Sequence, residues 1–296
     1  MTRAKHTLAV LGGSGLYEMD GLEGVEELRV DTPYGAPSDV LVKGTLATDT
    51  GPVTLLFLPR HGRGHRIPPH AINFRANVCA LKMSGATHLL SVSAVGSMKE
   101  EIEPGDFVVV DQYIDLTKRR VSTFFDEDVA AHVSFADPVC DKLTAALATA
   151  STAVHGKGSK GVHRGGAYVC IEGPHFSTRA ESLVYRSWGV SVIGMTSMPE
   201  AKLAREAELP FATLALATDY DCWHSSEEDV TVEAVVAVMK KNVETAKRAV
   251  AKLATSLPDP ATSRAHGALR GAVMTAPAAV SPAAREKLRW LLPSLS

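Results

Sequence analysis

Four short stretches of this sequence combine residue types that hold anions or move protons, and each follows an apolar run. Gly12-Gly13-Ser14-Gly15 follows residues 8–11, and Pro59-Arg60-His61-Gly62 follows 53–58. Ala94-Val95-Gly96-Ser97 follows 88–93, and Thr218-Asp219-Tyr220-Asp221 follows 211–217. The glycine turn lets backbone N–H groups approach an anion, with the Ser14 hydroxyl as a further donor. It lacks the Gly-Lys-Ser/Thr ending of a P-loop, and Glu18 stands where a dinucleotide fingerprint needs its third glycine. Arg60 can fork onto two phosphate oxygens, and Arg-His-Gly straight after an apolar strand seldom serves packing. Ser14, Arg60, His61, Ser93 and Ala94 therefore read as a cradle for one phosphate. No Walker lysine or magnesium-binding carboxylate pattern accompanies them, so the phosphate reads as inorganic or a small ester.

In an extended segment residues i and i+2 point the same way, so Asp219 and Asp221 are predicted to converge. Such a pair suits either a metal ion or a hydrogen-bonding clamp in which one carboxyl stays protonated beside the other. A metal would want further oxygen or imidazole ligands, and His224 alone is thin support. In Glu172-Gly173-Pro174-His175-Phe176-Ser177, Phe176 offers a ring to stack on a planar ligand. Taken alone, a core phenylalanine is the plainer reading.

These turns need a scaffold that gathers them on one edge. Short apolar, often β-branched runs recur at 8–11, 53–58, 88–93, 107–110, 167–171, 191–194 and 211–217. They alternate with segments of helical period at 69–83, 199–208 and 230–253. In the last, Val232, Val235, Val236, Met239, Val243, Ala246, Val250 and Leu253 form one apolar stripe. The alternation predicts an α/β fold with a mixed, largely parallel sheet flanked by helices. Ligands of such sheets sit at the carboxyl ends of the strands, where all four turns fall. Loops are predicted at 156–166 and at the Ala/Pro-rich 258–278, ahead of a short helix at 282–292. The chain reads as one domain, 1–256, with a C-terminal appendage, 257–296, packed on it or on a neighbouring subunit.

Composition excludes several classes. Lys and Arg number 31 against 33 Asp and Glu, so no basic field exists to gather nucleic acid or anionic lipid. The four cysteines stand far apart without a C-x-x-C pair, which argues against a disulfide framework or a thiolate zinc site. Arg3 and Lys5 precede an apolar run too short for a signal peptide, and no window approaches the ~18 apolar residues of a membrane span. A cytoplasmic protein acting on small molecules is predicted.

The motifs together resemble the purine nucleoside phosphorylase superfamily. They are Gly12-Gly13-Ser14-Gly15-Leu16, Asp31-Thr32-Pro33-Tyr34-Gly35-x-Pro37-Ser38-Asp39 and Arg60-His61-Gly62-Arg63-x-His65. Further along come Gly96-Ser97, Glu101-Ile102-x-Pro104-Gly105-Asp106, Glu172-Gly173-Pro174-x-Phe176-Ser177-x-Arg179-Ala180-Glu181 and Met195-Thr196-x-x-Pro199-Glu200. The stretch Ala217-Thr218-Asp219-Tyr220-Asp221-Cys222-Trp223 is similar to the 5′-methylthioadenosine phosphorylase branch, where the 6-oxopurine enzymes carry Asn in this region. The resemblance implies a trimeric enzyme without metal or organic cofactor. It would split methylthioadenosine with inorganic phosphate into adenine and 5-methylthioribose 1-phosphate. It places Ser14, Arg60, His61, Ser93, Ala94 and Thr196 at phosphate and Met195 at ribose. Phe176 and Ser177 fall at the base, held by Asp219 and Asp221. His132 and Leu291 would come from a neighbouring subunit, near the 5′ substituent. The rival readings are a phosphorylase for methylthioinosine or other purine nucleosides, a nucleosidase using water, and a sensor without turnover.

Overall fold

A strand covered on both faces has no position to spare for solvent, so it reads as an unbroken apolar run. The first such run forms β1 (Thr7–Gly12), followed by β2 (Leu22–Leu28), β3 (Leu41–Leu46), β4 (Val53–Pro59) and helix α1 (Phe74–Met83). Next come β5 (His88–Ser97), β6 (Phe107–Val110), β7 (Gln112–Asp115), α2 (Asp141–His155), β8 (Val162–Arg164) and β9 (Ala167–Cys170). The last third holds α3 (Arg179–Ser187), β10 (Val192–Gly194), α4 (Ser197–Glu206), β11 (Phe211–Asp219), α5 (Val232–Ala254) and α6 (Pro282–Leu288). The structure, a computed structural model, describes residues 6–13, 15–126, 128–155, 161–224 and 232–292. Ser14, residues 156–160 of the predicted loop, and the side chains of Val232, Val235 and Val236 lie outside the described residues.

Among the described residues, eleven strands form one sheet in the order β2-β3-β4-β1-β5-β10-β9-β7, with β11 pairing β5 and β6, and β8 extending β6. The centre, β4-β1-β5-β11, is parallel. The β2-β3-β4 edge and the β5-β10 and β6-β11 pairs are antiparallel. This is the single-domain α/β architecture that the sequence predicts. Alternate residues of β1 part to opposite layers. Ala9 and Leu11 pack with Val78 and Leu81 of α1 and Leu203 and Ala204 of α4. Leu8 and Val10 pack with Leu143 and Leu147 of α2 and Val250 and Leu253 of α5. Each fully buried Leu or Val contributes roughly 1.5–3 kcal/mol over its exposed state.

The pattern misses elements with little to bury. β2 carries Glu23, Glu26 and Glu27 and is exposed along most of its length, as a charged edge strand is. α3 buries only Ser182, but its start is marked by a capping box between Thr178 and Glu181, a signal readable in sequence. The 257–292 segment packs on the same core: Leu269, Val280, Ala284, Leu288 and Leu292 share a cluster with β1 and α1.

Candidate active site

Strands β5 and β11 run parallel, and their register builds the site. Ala215 pairs with Ser93, Leu216 with Ala94 and Ala217 with Val95; Thr218 then bulges, so that Asp219 stands opposite Gly96. The Ser93 hydroxyl is buried, with its Oγ 3.0 Å from Thr196 Oγ1 at the start of α4 and 3.3 Å from the Tyr168 hydroxyl on β9. Ala94 is exposed although its neighbours on the strand are buried, so the sheet opens to solvent here. Three residues beyond Ser93, Gly96 leaves room for the acidic turn: a Cβ there would stand 3.0 Å from Asp219 Oδ1 and 3.2 Å from Asp221 Cβ. A strand rises about 3.3 Å per residue, so Ser93 and Gly96 stand about 10 Å apart along the β5 backbone.

Arg60 follows β4 and is 2% exposed. Its guanidinium closes on Glu200 of α4, with Nε 2.5 Å from Oε1 and Nη2 3.0 Å from Oε2. Nη2 also donates to Leu11 O and Ser91 Oγ, and Nη1 to Val92 O. The fork predicted to grip phosphate is therefore occupied by a carboxylate of this chain. The physical reason is burial: a guanidinium taken out of water needs a paired carboxylate. Among the described residues one N–H of Nη1 remains beyond these bonds, a single donor rather than a fork. His61, next in sequence, stacks on His65 at 4.2 Å, and its Nδ1 lies 2.8 Å from Ile67 O. Burial, aided by the charge on Arg60, pushes the His61 imidazole down to about 4. The neutral ring donates from Nδ1 to the carbonyl and keeps Nε2 as an acceptor.

The acidic turn is not the extended pair the sequence predicts. Asp221 has a left-handed φ of +53° and begins a short 3₁₀ turn, so strand parity ends at Asp219. Asp219 Oδ1 accepts the Asp221 N–H at 2.9 Å, and Oδ2 accepts the Thr218 hydroxyl at 2.7 Å. Asp221 Oδ2 accepts the Ser182 hydroxyl of α3 at 2.5 Å, and burial pushes the Asp221 carboxyl above the usual range. Both carboxyl groups thus accept hydrogen bonds from donors of their own chain. His224 lies 3.1 Å from Glu100 and stacks on Tyr220.

The 171–178 turn borders the same region. A Cβ on Gly173, whose φ is +66°, would meet Met195 Sδ at 2.6 Å, so glycine lets Met195 lie against the turn. Ser177 O accepts the Cys222 thiol, and the Ser177 hydroxyl is buried without a partner among the described residues. Phe176 is 60% exposed and is no core residue. With Ser177, Lys118, Arg119 and Tyr185 it borders a cavity of about 720 Å³. His132 stands apart from these groups, exposed on the rim of another cavity of about 670 Å³ with Thr123, Lys202 and Glu206. Leu291 is half-buried against its own chain's core. Glu200, Ser182, Tyr168 and the buried Arg120 were not singled out from sequence. They lie far along the chain from the groups they hold, and only Glu200 fell within a motif quoted from the sequence.

A parallel-centred α/β sheet thus carries a buried hydroxyl pair and an acidic turn near the ends of adjacent strands. The family model described as the Phosphorylase superfamily matches residues 7–255, and the chain belongs to that family. Among similar proteins is the S-methyl-5′-thioadenosine phosphorylase of Geobacter sulfurreducens, 50% identical over 98% of this chain and 99% of its own. A crystal structure of methylthioadenosine phosphorylase from an antarctic soil metagenomic library covers 98% of this chain and 100% of its own, with TM-score 0.90 and 45% identity. Methylthioadenosine phosphorylase from Schistosoma mansoni, solved in complex with adenine, aligns over 91% of this chain and 99% of its own, with TM-score 0.81 and 34% identity.

Proposed function

We propose that this enzyme cleaves 5′-methylthioadenosine with inorganic phosphate to adenine and 5-methylthioribose 1-phosphate, using no metal or organic cofactor. The observation that carries the reading is the placement of two chemistries on one strand pair: the Ser93–Thr196 hydroxyls and, three residues further, Asp219.

In this reading the C1′–N9 bond breaks through a cationic ribose, and its electron pair moves into the purine. A phosphate oxygen bonds C1′, while a proton reaches N7 through Asp219 acting as general acid. The proton given up by phosphate balances the one adenine gains. Ser14, the Ser93 and Thr196 hydroxyls, the β5 backbone at Ala94 and an N–H of Arg60 hold the phosphate. His61 Nε2 accepts from its hydroxyl. Met195 covers the ribose, while Phe176 and Ser177 border the base. Fixed donors set before charge develops supply most of the stabilisation. Asp221 helps build the environment that accepts from the 6-amino group of adenine.

The same reading makes the enzyme a homotrimer in which His132, and the C-terminal segment with Leu291, reach a neighbour's 5′ substituent. It also places the enzyme in the cytoplasm, which four free cysteines support. No helix among the described residues is long and apolar enough to cross a membrane. The test is turnover of methylthioadenosine with and without phosphate, with products identified. Adenine and the sugar phosphate are expected only when phosphate is present; adenine release in its absence, or faster cleavage of methylthioinosine, contradicts the proposal.

A further inference from the structure

Arg120 belongs to no helix or strand and ends the run Lys118-Arg119-Arg120, yet its side chain is 1% exposed. Its donors meet five acceptors. Nε donates to Glu172 Oε1 at 2.9 Å. Nη1 donates to Met195 O at 2.7 Å and Met198 O at 2.6 Å. Nη2 donates to Glu172 O at 2.7 Å and, more weakly, to Ile171 O at 3.4 Å. Phe74 of α1 lies under the guanidinium at 5.1 Å. The carboxylate of Glu172 also accepts the backbone N–H groups of Lys118 and Arg119, which fastens the loop that presents Arg120. Burial acts to raise Glu172, but these bonds outweigh it and hold the carboxyl below the usual range.

The carbonyls so gripped belong to two segments that leave the sheet together. Ile171 N still bonds Gly194 O at 2.9 Å, where β9 and β10 end; beyond that bond Arg120 spans both chains. A peptide unit is planar, so fixing the Met195 carbonyl also fixes the direction of the Thr196 N–H. Thr196 carries the hydroxyl that meets Ser93, and Met195 lies against Gly173. A planar fork can serve carbonyls on two segments at once; an ammonium at the end of a flexible stem cannot reproduce that plane.

We propose that Arg120 is a positioning residue: through main-chain carbonyls and the Glu172 carboxylate it holds Met195 and Thr196 against the 171–173 turn in the geometry phosphorolysis requires. The proposal rests on the reading above, in which Thr196 holds phosphate and Met195 the ribose. The base side has anchors of its own, in the Cys222–Ser177 contact, the Ser182–Asp221 bond and the capping box of α3. Loss of the fork therefore falls mainly on phosphate and on turnover.

The test compares wild type with Arg120→Lys and Arg120→Ala, measuring phosphate KM, kcat and the Kd of adenine, with the folded fraction followed by circular dichroism. Arg120→Lys is expected to raise phosphate KM about tenfold or more and to lower kcat, while the adenine Kd stays within about twofold. In Arg120→Ala, millimolar guanidinium is expected to restore phosphate KM toward wild type, whereas methylammonium does not. Unchanged phosphate KM and kcat in Arg120→Lys overturn the proposal. So does a loss of adenine binding and turnover in step with the folded fraction. Wild type that cleaves methylthioadenosine without phosphate overturns the underlying reading instead, and is told apart because it needs no variant.

Discussion

Arg60 and Glu200 bury opposite charges side by side, 2% and 1% exposed, and neither is tolerable without the other. Removing one partner of such a pair typically costs about 3–5 kcal/mol. Arg60→Ala is therefore expected to lower the free energy of unfolding by about that amount in urea titrations, beyond any effect on phosphate. Pairing it with Glu200→Ala should recover part of the loss, because no bare charge remains buried; an Arg60→Ala protein as stable as wild type contradicts the buried-pair account. Asp219 acts at the other end. Asp219→Asn keeps shape but removes the proton donor, so kcat is expected to fall roughly 10²–10⁴-fold while phosphate KM changes little. Steady-state kinetics at varied phosphate checks both, and a kcat near wild type would count against general-acid catalysis by Asp219. Arg60, His61 and the two aspartates stood out in sequence because ionisable groups stand at the ends of apolar runs. What each one touches was not: Glu200 lies 140 residues from Arg60 and Ser182 lies 39 from Asp221. Only the fold brings those pairs together.

Elements decide how such residues are presented. The bulge at Thr218 sets Asp219 opposite Gly96, and no periodicity argument foresees a single unpaired residue at the end of a strand. The central strands were readable because burial on both faces leaves continuous apolar runs. β2 and α3 escaped because one is charged and the other buries almost nothing. Burial also leaves a pH signature. His88 begins β5, is fully buried, and has Nε2 2.9 Å from Pro258 O. Burial pushes it from 6.5 down to about 4, and His61 moves the same way. An unfolded chain carries both near 6.5, so below that pH it binds protons that the folded chain refuses. Their contribution is complete above about pH 6.5 and is lost as pH falls toward 4. Urea midpoints are expected to be lower at pH 5 than at pH 7.5, with a shallower fall in His88→Gln. A midpoint that holds or rises on acidification would contradict this.

For the whole molecule, the C-terminal segment is where the sequence says least about packing. Its Ala/Pro-rich composition gives no periodic face, so it reads as an appendage; in three dimensions Val280, Ala284, Leu288 and Leu292 complete the core cluster that holds β1 and α1. Truncation before Pro282 removes three of these, and each buried Leu alone is worth about 1.5–3 kcal/mol. The truncated chain is expected to melt far below wild type or to fail to fold, as scanning calorimetry would show. A truncated protein with unchanged Tm would show that the segment serves only the 5′ end of the substrate. The central claim, that phosphate bound beside Ser93 and Thr196 attacks the ribose of a nucleoside whose base is held by Asp219, is tested most directly by isotope. Methylthioadenosine is incubated with phosphate labelled by ¹⁸O in every oxygen, and the sugar product is weighed by mass spectrometry. The account predicts 5-methylthioribose 1-phosphate retaining every label, including the oxygen now bonded to C1′; free, unlabelled 5-methylthioribose would mean that water attacks instead.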